Sequence, residues 1–279
     1  MTDLSKAIEM ATATHAGMVR AHNEDSVGTD SSIGLAVLAD GMGGYNAGEV
    51  ASGIAVALIT KETRDTLSQI LPYEKDRASG ELMAVKILRS VIARANTSIF
   101  QAASSQPQYA GMGTTLVVAL FSDNQISVAH VGDSRLYRLR ASQLTQLTRD
   151  HSLLQEQIDS GMITKEMARR SQNKNLVTRA VGIEPEVEAD VNTFEAQEGD
   201  MYLLCSDGLN DMVDDEDIFL TLSSLQANLP LAASQLVQMA NDNGGRDNIS
   251  VILIRVKRPF PAARGWMSRL KTWFGKDGD

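Results

Sequence analysis

The hydrophobic pattern has two rhythms. Short, nearly unbroken apolar runs at 8–15, 33–39, 114–121, 125–131, 134–140, 143–147, 186–194, 200–206 and 248–256 predict β-strands. Asp123-Asn124, between two of these runs, predicts a tight hairpin turn. Elsewhere apolar residues return every three or four positions. This predicts long helices over 46–69, with Val50, Ile54, Ala57 and Leu58 on one face, and over 79–104, with Leu82, Val85, Leu88, Ile92 and Ile99. A shorter helix is expected over 230–242. Residues 150–180 are polar and mixed, the pattern of a short helical insert outside the core. Strand runs joined by tight turns, without strict strand–helix alternation, predict an α+β fold with antiparallel sheets and the two long helices packed on a sheet face.

Composition narrows the class. The chain has 279 residues, enough for one large domain or two small ones, and 43% are apolar. The net charge of -9 repels phosphate backbones, so nucleic acid is not an expected partner. Cys205 is the single cysteine, which rules out an intramolecular disulfide and fits a reducing compartment. The segment MTDLSKAIEM lacks the basic and apolar regions of a signal peptide, and the apolar run 54–59 is too short to span a bilayer, so a cytoplasmic protein is expected.

Apolar runs repeatedly end in aspartate. VLADGMGG brings Asp40 into a glycine-rich turn, SVAHVGD ends in Asp133, YLLCSDG ends in Asp207-Gly208, and GGRDNISVILI sets Asp247 before a strand. Taken singly, each is a turn residue. Taken together, with their Gly and Asn neighbours, they suggest strand ends that converge and carboxylates that share cations, because carboxylate repulsion must be offset. The candidate ligands are oxygens. His15, His22, His130 and His151 lack zinc-like spacing, which favours Mg2+ or Mn2+, with Ca2+ as an alternative. Glycine after Asp40 lets the backbone approach an ion, making the Gly41 carbonyl a candidate ligand. GMVRAHNEDS, with Arg20, Glu24 and Asp25, reads either as a solvated loop or as one carrying an arginine for a phosphate.

The ordered set GMVRAHNED (17–25), ADGMGG (39–44), GMGTT (111–115), VGDSR (131–135), LLCSDGL (203–209) and GRDNIS (245–250) resembles the metal-dependent protein phosphatases of the PPM, or type 2C, family, over roughly 8–256. TRDHSLLQEQIDSGMIT (148–164) and NLVTRAVG (175–182) are similar to the bacterial members. The resemblance implies an α-β-β-α sandwich of two antiparallel sheets flanked by helices, with the metal centre at one end and a flap at about 150–185. It implies hydrolysis of phosphoserine and phosphothreonine in proteins by a hydroxide bridging two Mn2+ or Mg2+ ions. Asp40 would bridge the ions, Asp207 and Asp247 would hold one, and Glu24 and the Gly41 carbonyl would face the other, with Asp25 behind them. Arg20 would bind the substrate phosphate. Asp133, Asp207 and Asp211 match a third, weaker metal site. Implied partners are phosphoprotein substrates of Ser/Thr kinases, met by a monomer. The chain departs from eukaryotic members at Met42, where they commonly carry a histidine credited with protonating the leaving group. Water on a metal, or His22, would have to substitute.

Rival readings fail on spacing. Six positions after Cys205 stands Asp211, where a cysteine phosphatase needs Arg, and no G-x-G-x-x-G follows a strand. Cys205 is expected in a buried strand, His130 in mid-strand and His151 exposed at the flap's start. Gly113, Thr114 and Thr115 are expected to serve packing. An adaptor that binds phosphoproteins without turnover is the alternative function, and retention of Asp40, Asp207 and Asp247 argues against it. A basic tail follows the catalytic domain (1–257). Trp266, Leu270, Trp273 and Phe274 fall on one helical face, behind Pro259 and Pro261. This face would either pack on the domain or dock on an anionic membrane surface or a partner.

Overall fold

The computed structural model describes residues 3–44, 46–164, 167–168, 171 and 176–262. The strands are β1 (Ile8–His15), β2 (Asp25–Asp30), β3 (Leu35–Met42), β4 (Gly113–Thr114), β5 (Leu116–Ser122), β6 (Gln125–Val131), β7 (Arg135–Arg140), β8 (Gln143–Gln146), β9 (Asp190–Glu195), β10 (Met201–Cys205) and β11 (Ile249–Val256). The helices are α1 (Ala47–Leu67), α2 (Met83–Ser105), α3 (Leu153–Asp159), α4 (Asp207–Asn210), α5 (Asp215–Leu225) and α6 (Leu229–Asp242). One sheet runs β1-β11-β10-β7-β8. The other runs β2-β3-β5-β6-β9, with β4 beside the end of β3. All their pairings are antiparallel.

The sheets pack face to face between two helical layers, which explains the unbroken apolar runs. In β3, Ala36 and Leu38 meet Tyr202, Leu204 and Ile252 of the other sheet, whereas Leu35, Val37 and Ala39 pack under Ala51, Ala55 and Ile59 of α1 and Leu88 and Ile92 of α2. On the far side, Leu203, Val251 and Leu253 pack against Ile218 and Leu222 of α5 and Leu236 of α6. A strand covered on both faces has no water-facing positions, so alternation disappears.

The structure departs from the sequence pattern in definable places. β2 was not among the anticipated strands. Its sequence, DSVGTD, has little apolar content, and it is a strand because it is an edge that pairs residue for residue with β3. α5 was not anticipated, although Asp214 caps it by accepting the Asp217 N–H at 3.0 Å. α2 begins at Met83 rather than 79, and β9 at Asp190 rather than 186. Asp123 and Asn124 do form the hairpin turn, at φ of 50° and 55°. Their side chains accept the N–H groups of Ala262 and Phe260, and Phe260 is buried with its ring centroid 6.1 Å from that of Phe121. Packing thus continues past 257. The aromatic face proposed for residues 266–274 lies outside the described residues. Among the described residues no helix is long and apolar enough to cross a membrane.

In the insert expected at about 150–185, Ser152 and Val177 pair as an isolated bridge and α3 follows Ser152; residues 165–166, 169–170 and 172–175 lie outside the described residues. The flap's exit is pinned by Asn96 of α2, which is buried. Asn96 Nδ2 donates to the carbonyls of Glu184 (2.9 Å) and Pro185 (3.1 Å), and its Oδ1 accepts the Gly182 N–H at 2.6 Å. Gly182 has φ of 91°, and a Cβ there would lie 2.1 Å from Ile99 Cγ2, so only glycine fits. Asn96→Ala strands a buried N–H and two carbonyls, and is expected to lower unfolding free energy by about 2 kcal/mol, measured by urea denaturation.

Candidate metal centre

Antiparallel pairing brings alternate strand ends to one rim. The ends of β3, β6 and β10 lie beside the starts of β2, β5, β7 and β11. Asp40, near the end of β3, is therefore directly opposite Asp25, the first residue of β2. Asp133 follows β6, Asp207 opens α4 just beyond β10, and Asp247 precedes β11.

The backbone around these carboxylates is tightly held. The Asp40 carbonyl accepts the Thr115 N–H and the Thr114 hydroxyl, each at 2.8 Å, and its N–H donates to Thr115 Oγ1 at 3.3 Å. Thr114 and Thr115 thus fix the main chain of Asp40, which is more specific than packing. A Cβ on Gly41 would lie 2.1 Å from the Gly48 carbonyl oxygen, so glycine lets α1 start against the rim. Asn248 joins the segment 16–24 to β11. Its Oδ1 accepts the Glu24 N–H at 2.8 Å, and its Nδ2 donates to the carbonyls of Ala16 (3.0 Å) and His22 (2.8 Å). Ser206 donates to Asp25 Oδ2 at 2.8 Å and accepts the Ser250 N–H at 3.0 Å, linking the two sheets at the rim. Arg20, half-exposed, donates to Asp247 Oδ2 at 2.8 Å.

Electrostatics separate this cluster from ordinary turns. Burial pushes the Asp40 carboxyl well above the usual range, and the charges of Asp25, Asp207, Asp133 and Asp247 push it further. Burial, then Asp133, Asp247, Asp211 and Asp25, does the same to Asp207. Burial raises Asp25 to about 6 against the hydroxyls of Ser250 and Ser206. It raises Asp133 to about 6 as well, with Asp150 adding to it. Glu24 is raised, mainly by desolvation. Asp247, first among its neighbours, raises Arg20. Glu24 Oε1 and Asp207 Oδ1 are buried and accept no hydrogen bond among the described residues. Carboxylates this crowded, with buried acceptor oxygens left over, are the donor set a hard divalent cation needs. The structure therefore brings Asp40, Asp25, Asp207, Asp247, Asp133 and Asp211 into mutual electrostatic reach, with Glu24 and Gly41 at the same rim and Arg20 beside Asp247.

His151 is a correction. It is not exposed at the flap's start but buried, 3% exposed, stacked on His130 with ring centroids 4.7 Å apart. Its Nδ1 accepts the Gly132 N–H at 3.2 Å, so its proton sits on Nε2, 3.4 Å from Asp190. His130 Nε2 donates to the Arg149 carbonyl at 2.8 Å. Burial lowers both histidine pKa values. His130, His151 and Asp190 lie close enough to hold an ion, but the hydrogen bond at Nδ1 commits Nε2 of His151 to a proton. The group is better described as a neutral joint that fastens the flap to β6. Cys205 is buried in β10, as expected.

The sequence profile of the Protein phosphatase 2C family matches residues 15–242. The chain belongs to this family. Among protein phosphatase 2C relatives, the Mycobacterium tuberculosis (strain H37Rv) serine/threonine protein phosphatase PstP is 38% identical over 257 residues, covering 92% of this chain and 46% of PstP. The chain thus spans about half the length of that relative. The Listeria monocytogenes serovar 1/2a serine/threonine phosphatase stp is 39% identical over 244 residues, 86% of this chain and 93% of its own. The crystal structure of M. tuberculosis PstP/Ppp superposes with a TM-score of 0.79 at 37% identity, over 90% of this chain and 100% of that one. A structure of the PstP catalytic domain in complex with two manganese ions gives 0.76 at 37% identity, over 89% and 98%. The four-layer sandwich inferred from the motifs is the fold of this family.

Asn248 and Ser206 were not singled out in the sequence, although both lie inside motifs that were. The only visible signal was their place directly beside a candidate ligand. Loss of Asn248 frees the segment carrying Arg20 and Glu24, so Asn248→Ala is expected to weaken Mn2+ binding about 10- to 100-fold by calorimetry while the fold persists. A carboxyl whose folded pKa exceeds its unfolded value binds its proton more tightly when folded, so it lowers stability as pH rises through the folded pKa. For Asp25, raised from 3.8 to about 6, that window lies below neutrality. In EDTA, Asp25→Asn is expected to gain stability over wild type as pH rises from about 5 to 7, with Mn2+ cancelling the gain. Urea midpoints that give the same difference at both pH values would show that the folded protein does not raise the pKa of Asp25.

Proposed function

We propose that this protein is a Mn2+- or Mg2+-dependent phosphatase that removes phosphate from serine and threonine side chains of proteins. The observation carrying this reading is the pair Asp40 and Asp207, partly buried at one rim, each raised in pKa by burial and then by its carboxylate neighbours. Two ions held there supply Lewis acidity, acidifying water and neutralising phosphoryl oxygens. Asp40, between the β2 and β10 sides of the rim, is assigned as the bridging ligand, Asp207 and Asp247 as ligands to one ion, and Glu24 with the Gly41 carbonyl as facing the other. Asp25, tied to Ser206, holds its place behind them. Asp133, Asp207 and Asp211 are assigned to a weaker third ion.

The protein's own part is positioning. Arg20 presents a permanent cation at the rim, oriented by Asp247 and half open to solvent, where it can engage a phosphate. The Thr114–Thr115 clamp keeps the Asp40 main chain from shifting as charge builds on the phosphoryl oxygens, which is how preorganised sites lower the barrier. The manganese-bound PstP relative and the serine/threonine phosphatase names of the relatives support this reading.

Hydrolysis of p-nitrophenyl phosphate tests it. Activity is expected with Mn2+ or Mg2+ and not in EDTA. Asp40→Ala should lower it by more than the roughly 100-fold that losing a supporting residue costs, with circular dichroism unchanged. Turnover that survives either EDTA or Asp40→Ala would sink the reading.

A further inference from the structure

A groove of about 1070 Å³ opens beside the rim, between α2 and the segment 177–189 that returns from the flap. Met42, Ile92, Val177, Ile183 and Val187 give it an apolar lining. Met42 lies two residues past Asp40, roughly 7 Å along an extended strand, so the groove starts where the reacting phosphate would end. Its outer wall is preformed. Thr114 and Val181 exchange two backbone hydrogen bonds, at 3.0 and 2.9 Å, and Asn96 holds the carbonyls of Glu184 and Pro185. Ile183 is nonetheless 44% exposed into the groove, as a residue awaiting a partner would be.

The charges on this wall are unbalanced. Its arginines are neutralised from outside the lining: Arg89 pairs with Glu81 at 2.5 Å and Arg179 with Asp190 at 3.1 Å. Glu184, Glu186 and Glu188 also line the groove, are exposed, and make no ion pair among the described residues. Free carboxylates beside a phosphate site repel the phosphate itself. They suit a cationic stretch of polypeptide next to it, and disfavour an acidic one.

We propose that this groove seats the substrate polypeptide adjoining the phosphorylated residue, and that Glu184, Glu186 and Glu188 select lysine or arginine there. The proposal rests on the phosphatase reading above and adds the class of phosphoprotein preferred. The test compares three substrates: a phosphothreonine peptide flanked by lysines, the same peptide flanked by glutamates, and p-nitrophenyl phosphate, which has no polypeptide to reach the groove. Wild type is expected to favour the lysine peptide roughly fivefold or more in kcat/KM, mostly through KM. The preference should fade at high salt. In E184Q/E186Q/E188Q it should fall to within about twofold, with p-nitrophenyl phosphate turnover unchanged, since exposed substitutions leave the fold intact. Hydrolysis of p-nitrophenyl phosphate without a lysine preference, or a preference that survives in the triple variant, overturns the groove assignment alone. No hydrolysis of any of the three overturns the phosphatase reading and the groove assignment with it.

Discussion

Repulsion among buried carboxylates is the constraint around which this molecule is organised. Burial makes Asp25, Asp40 and Asp207 costly to ionise, and neighbouring carboxylates, those of Asp133 and Asp247 among them, add to that cost. Nothing local would keep such a group together. It is held because each carboxylate sits on or beside the end of a strand whose remaining residues are locked between two layers. To separate the aspartates, strands such as β3 and β10 would have to slide, and a slide of one residue would turn every core side chain to the wrong face.

Around this rim several polar side chains hold backbone, while Ser206 and Arg20 bond the carboxylates of Asp25 and Asp247. Thr114 and Thr115 hold the main chain of Asp40, Asn248 holds that of Glu24, Ala16 and His22, and Asn96 holds the exit of the flap. Fixing the backbone leaves oxygens such as Asp207 Oδ1 available for a cation. His130 and His151 serve the flap's entry in the same way: a stacked neutral pair, joined to Gly132, Arg149 and Asp190, in place of a solvent-exposed hinge.

Much of this was legible in the sequence, for a physical reason. Residues buried on both faces leave continuous apolar runs, so β3, β5, β6, β10 and β11 stood out, and the aspartates stood out against them. Segments whose structure comes from a neighbour did not. β2 is a strand only because β3 pairs with it, and its polar sequence carries little signal of its own. α5 follows α4 so closely that its cap was lost among the acidic residues of 214–217. His151 looked exposed because the flap around it is polar. What buries it is His130, a contact across 21 positions of chain. Asn248 and Ser206 read as companions of Asp247 and Asp207. Their hydrogen bonds reach segments more than a hundred residues away, and no local pattern encodes that.

The hairpin tip at Asp123-Asn124 has a consequence for geometry beyond the domain. It lies at the far end of β5 and β6 from the carboxylates, a strand length or roughly 20 Å away, and it grips Phe260 and Ala262. The chain thus departs from the pole opposite the metal rim. A support or reporter fixed at Ala262 itself would therefore sit on the side of the molecule away from the carboxylates.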